Sequence, residues 1–596
     1  MSIDPNARAR VLGVTTVYLP PPIGNAQVLP QRIAVFAQGC TGTSYALTPF
    51  TTTGSADVAN RMGYGCPAQL EVMQLMPANG DGVGSIPVDV YPLADDANGV
   101  AAVGSIVPSG TATASATYQV RVAGIPSTQF TIPAGAVNVT NVCALMGQAV
   151  SAILWMPVTV SYTYGTVTSQ AGSNTASSGA VTSLSVASNA TPLPGAYSLV
   201  CTSTAAAGTF TLTNPNGIVV STSVTTTGAP QTVGGLTFTL TAGSSAFAVN
   251  DSFTITVPTT NVKFTSKWKG LSANDIALEV LAPSPSVGVT FAITAMTGGA
   301  VDPSLTSALA EVGNTWETMV INPFNVANST ALNSFQTWGE GLWTGIVRRP
   351  AIVFSGGTFS TEATAAAITG ARPGSGGIIS DRVNALINVP GSVNLPCVIA
   401  ARAVCRIAVV ANDNPATGYA TQMLDGIVPG SNSTQWAWST KDAAVKAGCG
   451  TVDVNNAVPY LSDVVTMYVD AGENPPPYAY VVSLVRLQNI IYNVQLTFLA
   501  AEWASAPLIP DNQPTNNPKA RHPSSAIAEM AGIEDNLGMS AIISDPTTSK
   551  KKITASIDGT NPNRLNMQMP VSLSGNTEIM DVTVPFSFYM GVAAAL

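Results

Sequence analysis

Val582, Val584, Phe586, Phe588 and Met590 alternate with Thr583, Pro585, Ser587 and Tyr589. That two-residue period predicts an extended strand with one apolar face. Pro585 lacks a donor and places the strand at an edge, or paired on one side only. A second β-rich run, Val11 to Leu19, carries Val11, Val14, Val17 and Leu19 and is followed by Pro20, Pro21 and Pro22, a stiff spacer. Both runs are read as strands carried on arms. A strand's backbone donors and acceptors need partners. An arm that leaves its own core finds them by adding a strand to a neighbour's sheet. The alternative is that both runs close a sheet within the same chain.

Between them the pattern changes several times. Apolar runs predict strands at Ile33–Ala37 and Val88–Pro92, and a helix at Ala68–Met76 with Pro67 at its first position. Strands at Tyr118–Val122, Thr128–Ile132 and Val158–Tyr164 surround a helical stretch, Val139–Leu154. A Ser/Thr/Gly-rich stretch follows, with alternating strands at Ser198–Thr202, Thr209–Thr213, Ile218–Thr222, Leu236–Thr241 and Ser252–Val257 and no helix signal. Beyond it, strands such as Thr318–Asn322 and Ala351–Phe354 alternate with helices. Asp302 and Pro303 read as N-cap and first residue of a helix through Val312. A helix follows Ser439-Thr440, and a longer one covers Ala479–Leu499, apolar around most of its circumference and so buried on several sides.

These shifts divide the chain into an arm (1–29), a core domain (30–109), an inserted α+β domain (110–164), an inserted all-β domain (165–259), the rest of the core (260–545) and C-terminal strands with an arm (546–596). The predicted fold class is α+β multidomain: a mixed α/β core, two inserted β-rich domains, and extended strand arms at both ends. A length of 596 residues fits such a division.

Composition narrows the function classes. Charged residues are 9% of the chain, against about 25% in typical proteins. A surface covered by Thr, Ser, Asn, Gln and Gly has little repulsion to keep copies apart. The net charge is −9, and Lys550, Lys551 and Lys552 form the one basic cluster, so nucleic-acid binding is not expected. The seven cysteines are widely spaced without a CxxC, which argues for free buried thiols in a reducing cytoplasm rather than disulfides or zinc. The opening MSIDPNARARVLG has no apolar h-region. The most membrane-like run, Val393–Ala411, contains Arg402 and Arg406 and reads as a packed helix, so direct membrane insertion is not expected.

Catalysis has little to work with. His522 is the only histidine and no GxSxG elbow is present. Oxygen-ligand metal sites around Asp81 or Asp95-Asp96 lack EF-hand spacing. Glu340, near Trp338 and Trp343, is the best candidate for a glycosidase carboxylate, with an aromatic core segment as its structural reading. The glycine runs at Gly80/Gly82/Gly84 and Gly374/Gly376/Gly377 read as loops. No catalytic residue, cofactor or metal ligand is expected.

An ordered series of motifs resembles a known family. Ala59-Asn60-Arg61-Met62-Gly63-Tyr64-Gly65 leads into Tyr91-Pro92-Leu93-Ala94-Asp95-Asp96. Trp268-Lys269-Gly270, Gly298-Gly299-Ala300 with Asp302-Pro303, Ile321-Asn322-Pro323-Phe324, Leu424-Asp425-Gly426-Ile427 and Asn561-Pro562-Asn563-Arg564-Leu565 follow in order. The series is similar to the contractile tail sheath protein of Mu-like bacteriophages. The segment 165–259 instead resembles a repeat of phage surface and decoration proteins. The resemblance implies a structural virion protein, assembled in the host cytoplasm. It would stack as hexameric rings in a helical lattice around a tail tube, between baseplate and tail terminator proteins, and contract to drive the tube through the host envelope. The helix around Ile527, Met530, Ile533 and Leu537, with Glu529, Glu534 and Asp535, is a candidate tube-facing element, the alternative being a core-packed helix. The rival function is a virion adhesin or polysaccharide-degrading tail protein; no fixed-period repeat supports it.

Overall fold

The computed structural model describes residues 26–174, 179–204, 208–374, 380–469 and 478–577. Among the described residues the chain forms two compact units, one within 30–410 and 419–481, the other of 26–29, 411–418 and 482–577. The fold is mixed α/β with several separate sheets.

At the centre of the larger unit is a six-stranded sheet in the order Phe50–Thr51, Val88–Leu93, Ile33–Gln38, Met319–Ile321, Ile352–Gly357, Asn384–Asn388. The Phe50–Thr51 edge pairs antiparallel and all other neighbours are parallel. The five parallel strands are buried along their whole length, as expected where both faces of a parallel sheet are covered. Their continuous apolar runs are the reason the sequence located four of them within three residues at each end. Asn384–Asn388 was missed because both ends are polar. Asn384 Nδ2 donates to Leu332 O (3.1 Å) and Asp381 Oδ2 (2.7 Å), and the Asn388 amide brackets the backbone of Phe359.

Asp302 corrects a second expectation. The helix begins at Thr306, not Pro303, and runs to Glu311. The Asp302 carboxylate instead accepts from Ser272 N at 3.0 Å and Asn328 Nδ2 at 2.8 Å, tying three loops together rather than capping one helix.

Beside this sheet, Ala101–Ala112 lies between Val289–Thr297 and Thr259–Lys269, and Thr259–Lys269 pairs in turn with Val158–Tyr164. Helix Val139–Ser151 packs on it, capped by Asn138 through Asn141 N. Between Val158–Tyr164 and Thr259–Lys269 the chain forms a five-stranded and a three-stranded antiparallel sheet enclosing Leu199, Phe210, Phe238, Phe247 and Ile255. The sequence missed three of these strands, Thr168–Ala171, Ala180–Val186 and Pro230–Val233. Each exposes much of its length, so its apolar alternation is weak.

Several of the few charges are used in buried or half-buried pairs. Arg402 and Arg406, in helix Pro396–Asp413, both pair with Asp81, the first at 2.6 Å, so Asp81 is a counter-ion. Glu340 is held by Arg382 at 2.7 Å, whose guanidinium stacks 4.5 Å from the Trp343 ring centroid and 4.9 Å from that of Tyr478. That carboxylate is neutralised and enclosed, which is the core reading of this aromatic segment.

Asp381 is fully buried and accepts from Arg372 Nε (3.0 Å), Val383 N, Asn384 N and Asn384 Nδ2. Asp381→Ala leaves a buried guanidinium uncompensated, and is expected to cost about 3–5 kcal/mol in chemical denaturation. Lys446→Ala, at an exposed i,i+4 pair, is the control, expected to change stability by less than about 0.5 kcal/mol; equal effects would contradict the assignment.

Glu317 gives a pH dependence. Burial pushes its carboxyl up to about 8 from 4.5, with repulsion from Asp89 adding to it and the Tyr91 hydroxyl, which donates to it at 2.9 Å, opposing. The native chain therefore holds this proton where the unfolded chain has lost it, and this group's contribution falls as pH rises from 4.5 to about 8. Glu317→Gln is expected to flatten the decline of the urea midpoint across that window. An unchanged slope would place the titration elsewhere.

Candidate functional site at the anchor of two terminal segments

Helix Val481–Phe498 lies where the sequence placed it, but its surroundings are not purely apolar. Val482, Leu484, Val485 and Ile490 are buried as expected, and so are Arg486, Gln488, Asn489 and Asn493. Arg486, Asn489 and Asn493 stand at i, i+3 and i+7, one face of a helix. A buried polar side chain is tolerated only when hydrogen-bonded, and here most of the partners are backbone.

Asn493 takes both peptide groups of one residue. Its Oδ1 accepts from Gln27 N at 3.0 Å and its Nδ2 donates to Gln27 O at 2.9 Å. A neighbouring strand makes the same pair of bonds to an extended residue. Asn489 Oδ1 accepts from Leu29 N at 2.8 Å. One turn away, the Arg486 guanidinium donates to Ser574 O, to Ala416 O at 2.6 Å and to Asn576 Oδ1 at 2.7 Å. Asn576 Nδ2 also donates to Ala416 O at 3.1 Å. One polar stripe thus holds segment 26–29, segment 411–418 and segment 574–576. Ala26, Ile490, Ile533, Leu537, Ile542 and Ile543 pack beneath it.

Sequence reasoning missed this stripe. The available signal was Arg486, Asn489 and Asn493 at helical spacing within an otherwise apolar helix, since each such residue is unfavourable in a core without a dedicated partner.

Helix Pro523–Met539 carries the three expected acidic residues. Glu529 is exposed. Asp535 pairs with Lys550. Glu534 is enclosed, and the Ser549 hydroxyl donates to its Oε2; burial raises its carboxyl above the usual value. The helix therefore offers Glu529 and Asp535 at its surface, while Glu534 ties it to the Lys550–Lys552 turn. Hairpin Thr554–Ile557/Leu565–Gln568 packs against this helix through Ile553, Ala555 and Leu565. Ile543–Ser544 pairs with Ser572–Leu573. Among the described residues, neither two-stranded ribbon has a third strand, so both leave backbone groups on open edges.

The expected strand residues Val11, Val14, Val17, Leu19, Val582, Val584, Phe586 and Phe588 lie outside the described residues. His522 Nδ1 sits 3.2 Å from Pro510 O at the start of the Pro523–Met539 helix, where the neighbouring Ser524 hydroxyl and N–H both donate to Asp511 Oδ1, at 2.6 and 3.0 Å, as a local cap. Among the described residues, no group of three or more His, Cys, Asp or Glu side chains is placed to hold a metal ion. No described helix is long and apolar enough to cross a membrane.

No family model matches the chain. Over 249 residues it is 25% identical to the Mu-like prophage FluMu tail sheath protein of Haemophilus influenzae. The chain is a homologue of a Mu-like prophage tail sheath protein. The match takes in 40% of this chain and spans about half (48%) of that relative's length. Two solved structures are also similar over nearly the whole chain. The sheath tail protein of Listeria innocua is 10% identical, covering 93% of this chain and 94% of that one at a TM-score of 0.41. That of Desulfitobacterium hafniense is 11% identical, with 92% and 94% covered at 0.38. With both scores below 0.5, the functional reading rests on the sequence relative and on the residues themselves.

Asn493→Leu keeps the helix apolar and removes both bonds to Gln27. It is expected to cost about 1–3 kcal/mol and to speed proteolytic release of residues 1–30, with helix content in circular dichroism unchanged. Unaltered cleavage would show that the stripe does not hold this segment.

Proposed function

We propose that this chain is the structural subunit of a contractile tail sheath. It stacks as hexameric rings around a tail tube and contracts to drive that tube through the host envelope. The observation that carries this reading is the sequence relationship to the Mu-like prophage tail sheath protein.

The anchor supports a division of labour within the subunit. Residues 1–25 and 578–596 continue from segments fastened to one rigid helix by Arg486, Asn489 and Asn493. The alternating residues Val582, Val584, Phe586 and Phe588, and the run containing Val11, Val14, Val17 and Leu19, donate strands to adjacent copies. The open edges of the Thr554–Ile557/Leu565–Gln568 hairpin suit an added strand from such an arm, since an isolated two-stranded hairpin gains stability from a third strand. Each ladder bond contributes about 0.5–1.5 kcal/mol net. An arm making several contributes a few kcal/mol, repeated at every subunit.

Anchoring at one helix matters for contraction. Subunits reorient as largely rigid bodies about an interface, and arms fixed at their roots but joined outside the subunit keep the lattice connected. Gly13, Pro20–Pro22 and Gly24 on one side and Gly559-Thr560 on the other are the hinge candidates. The sparse surface charge favours close packing of copies. The segments 110–164 and 165–259 face away from the tube, and Glu529 and Asp535 on helix Pro523–Met539 face it. The partners are other copies, the tube protein, and the baseplate and tail terminator proteins. Assembly takes place in the host cytoplasm and the finished protein resides in the virion tail. The role is structural, without enzymatic chemistry.

Deletion of Val582–Leu596 is expected to leave folded, soluble subunits that no longer form hollow striated cylinders in negative-stain microscopy. Normal cylinders from the truncated chain would remove strand donation by this arm.

A further inference from the structure

Of the seven cysteines, all free and buried, Cys40 is set apart by its surroundings. It occupies the turn after strand Ile33–Gln38, with its N–H bonded to Met62 O at 2.7 Å. Gly63 follows helix Ser55–Met62 at φ +96°, and a Cβ there would stand 2.7 Å from Cys40 Cβ and 2.9 Å from its Sγ. Only glycine leaves room for this thiol. Gly65, at φ +84°, would put a Cβ 2.2 Å from Met156 O and 2.9 Å from Lys267 Nζ. The two glycines thus shape a place for a cysteine and a lysine side by side.

Cys66 lies behind Cys40. It is the N-cap of helix Pro67–Leu75, where its sulfur accepts from Gln69 N at 3.4 Å, and it lies two residues beyond Tyr64, to whose O the Cys40 thiol donates at 3.4 Å, close enough for the two thiols to influence each other's protonation. Lys267 Nζ is fixed by Tyr64 O at 2.8 Å and Leu154 O at 3.1 Å. In front is an open cleft of about 400 Å³ lined by Cys40, Thr41, Gly63, Tyr64 and Lys267. A thiol pair, a cation and a solvent route therefore meet at one place.

We propose that Cys40 and Cys66 form a thiol–disulfide exchange site, in which Cys40 attacks small disulfides entering this cleft and Cys66 resolves the product. The Cys40 thiolate attacks one sulfur of a low-molecular-weight disulfide such as oxidised glutathione. A mixed disulfide forms and one small thiolate leaves. The Cys66 thiol, giving up its proton, then attacks Cys40 sulfur, closing a Cys40–Cys66 bond and releasing the second small thiol. The protein dithiol loses two electrons and the reagent disulfide gains them.

The electrostatics agree with this geometry. The neighbouring Cys66 thiol and then the charge of Lys267 lower the Cys40 thiol below its ordinary value, against burial and the Asp95 carboxylate, and the same coupling raises Cys66. Asp95 is itself occupied by Gln38 Nε2 and Thr41 Oγ1. Tyr45, the other titratable group facing the turn, stays protonated because burial raises it. Glu71, on the Cys66 helix, is pushed well above the usual carboxylate value by complete burial. Burial raises all the remaining thiols, Cys143 and Cys449 to about 12 and Cys201, Cys397 and Cys405 in the same direction. Reactivity follows thiolate character and access, and Cys40 combines both. This site is independent of the assembly reading.

The test is timed iodoacetamide labelling of the folded full chain, read by peptide mass spectrometry, together with exposure to oxidised glutathione. Cys40 is expected to label about ten-fold or more faster than each of Cys143, Cys201, Cys397, Cys405 and Cys449, with a pH midpoint below 9.0 that Lys267→Met moves upward. Oxidised glutathione should yield a Cys40–Cys66 linked peptide in the unaltered chain and a stable Cys40–glutathione adduct in Cys66→Ser. Labelling of Cys40 no faster than the other thiols, or no linked peptide after glutathione treatment, overturns the proposal without reliance on any variant.

Discussion

Unmade backbone hydrogen bonds are the constraint from which this molecule's organisation follows. An extended segment outside a sheet must find partners for each N–H and C=O. Here segments 26–29 and 574–576 find several of theirs in side chains on one helix, with Ser574 N going instead to Ile542 O at 3.2 Å. Asn493 meets Gln27 as a strand would, Asn489 takes the next available donor at Leu29, and Arg486 collects carbonyls from Ala416 and Ser574. Most of these contacts are to backbone and ask no particular side chain of the segments; Asn576, which bonds both Arg486 and Ala416 O, is the exception.

The same economy governs charge. Only 9% of residues are charged, and several of them are spent inside: Arg372 on Asp381 and Arg382 on Glu340, with the buried Arg402 reaching out to a partly exposed Asp81. Breaking one partner of a buried pair is costly because the other charge is left behind. These pairs lock the interior, while the polar uncharged surface leaves little repulsion between copies. Both properties suit the rigid, closely packed subunit that the proposed sheath requires.

Legibility in the sequence followed burial pattern. Strands buried on both faces, such as Ile33–Gln38 and Ile352–Gly357, announced themselves as apolar runs, and Thr209–Thr213 and Leu236–Thr241 by strict alternation. Asn384–Asn388 hid behind polar ends whose partners lie at Leu332, Asp381 and Phe359. Asp302-Pro303 looked like a helix start because its residue types fit one, yet the carboxylate serves loops at Ser272 and Asn328. The anchor stripe was visible only as Arg486, Asn489 and Asn493 within an apolar helix. What they hold is set by chain segments more than 450 residues away in the case of Gln27 and Leu29, which no local pattern encodes.

The central claim is that one helix fastens the roots of two arms whose strands complete sheets in other copies. A reconstruction of the assembled particle that traces the backbone of every subunit tests it most directly. The account predicts that Val582–Phe588 runs as a strand hydrogen-bonded to a different copy, with Gln27 and Ser574 still seated on Asn493 and Arg486 of its own. A strand folded back onto its own subunit, or roots detached from that helix, would contradict it.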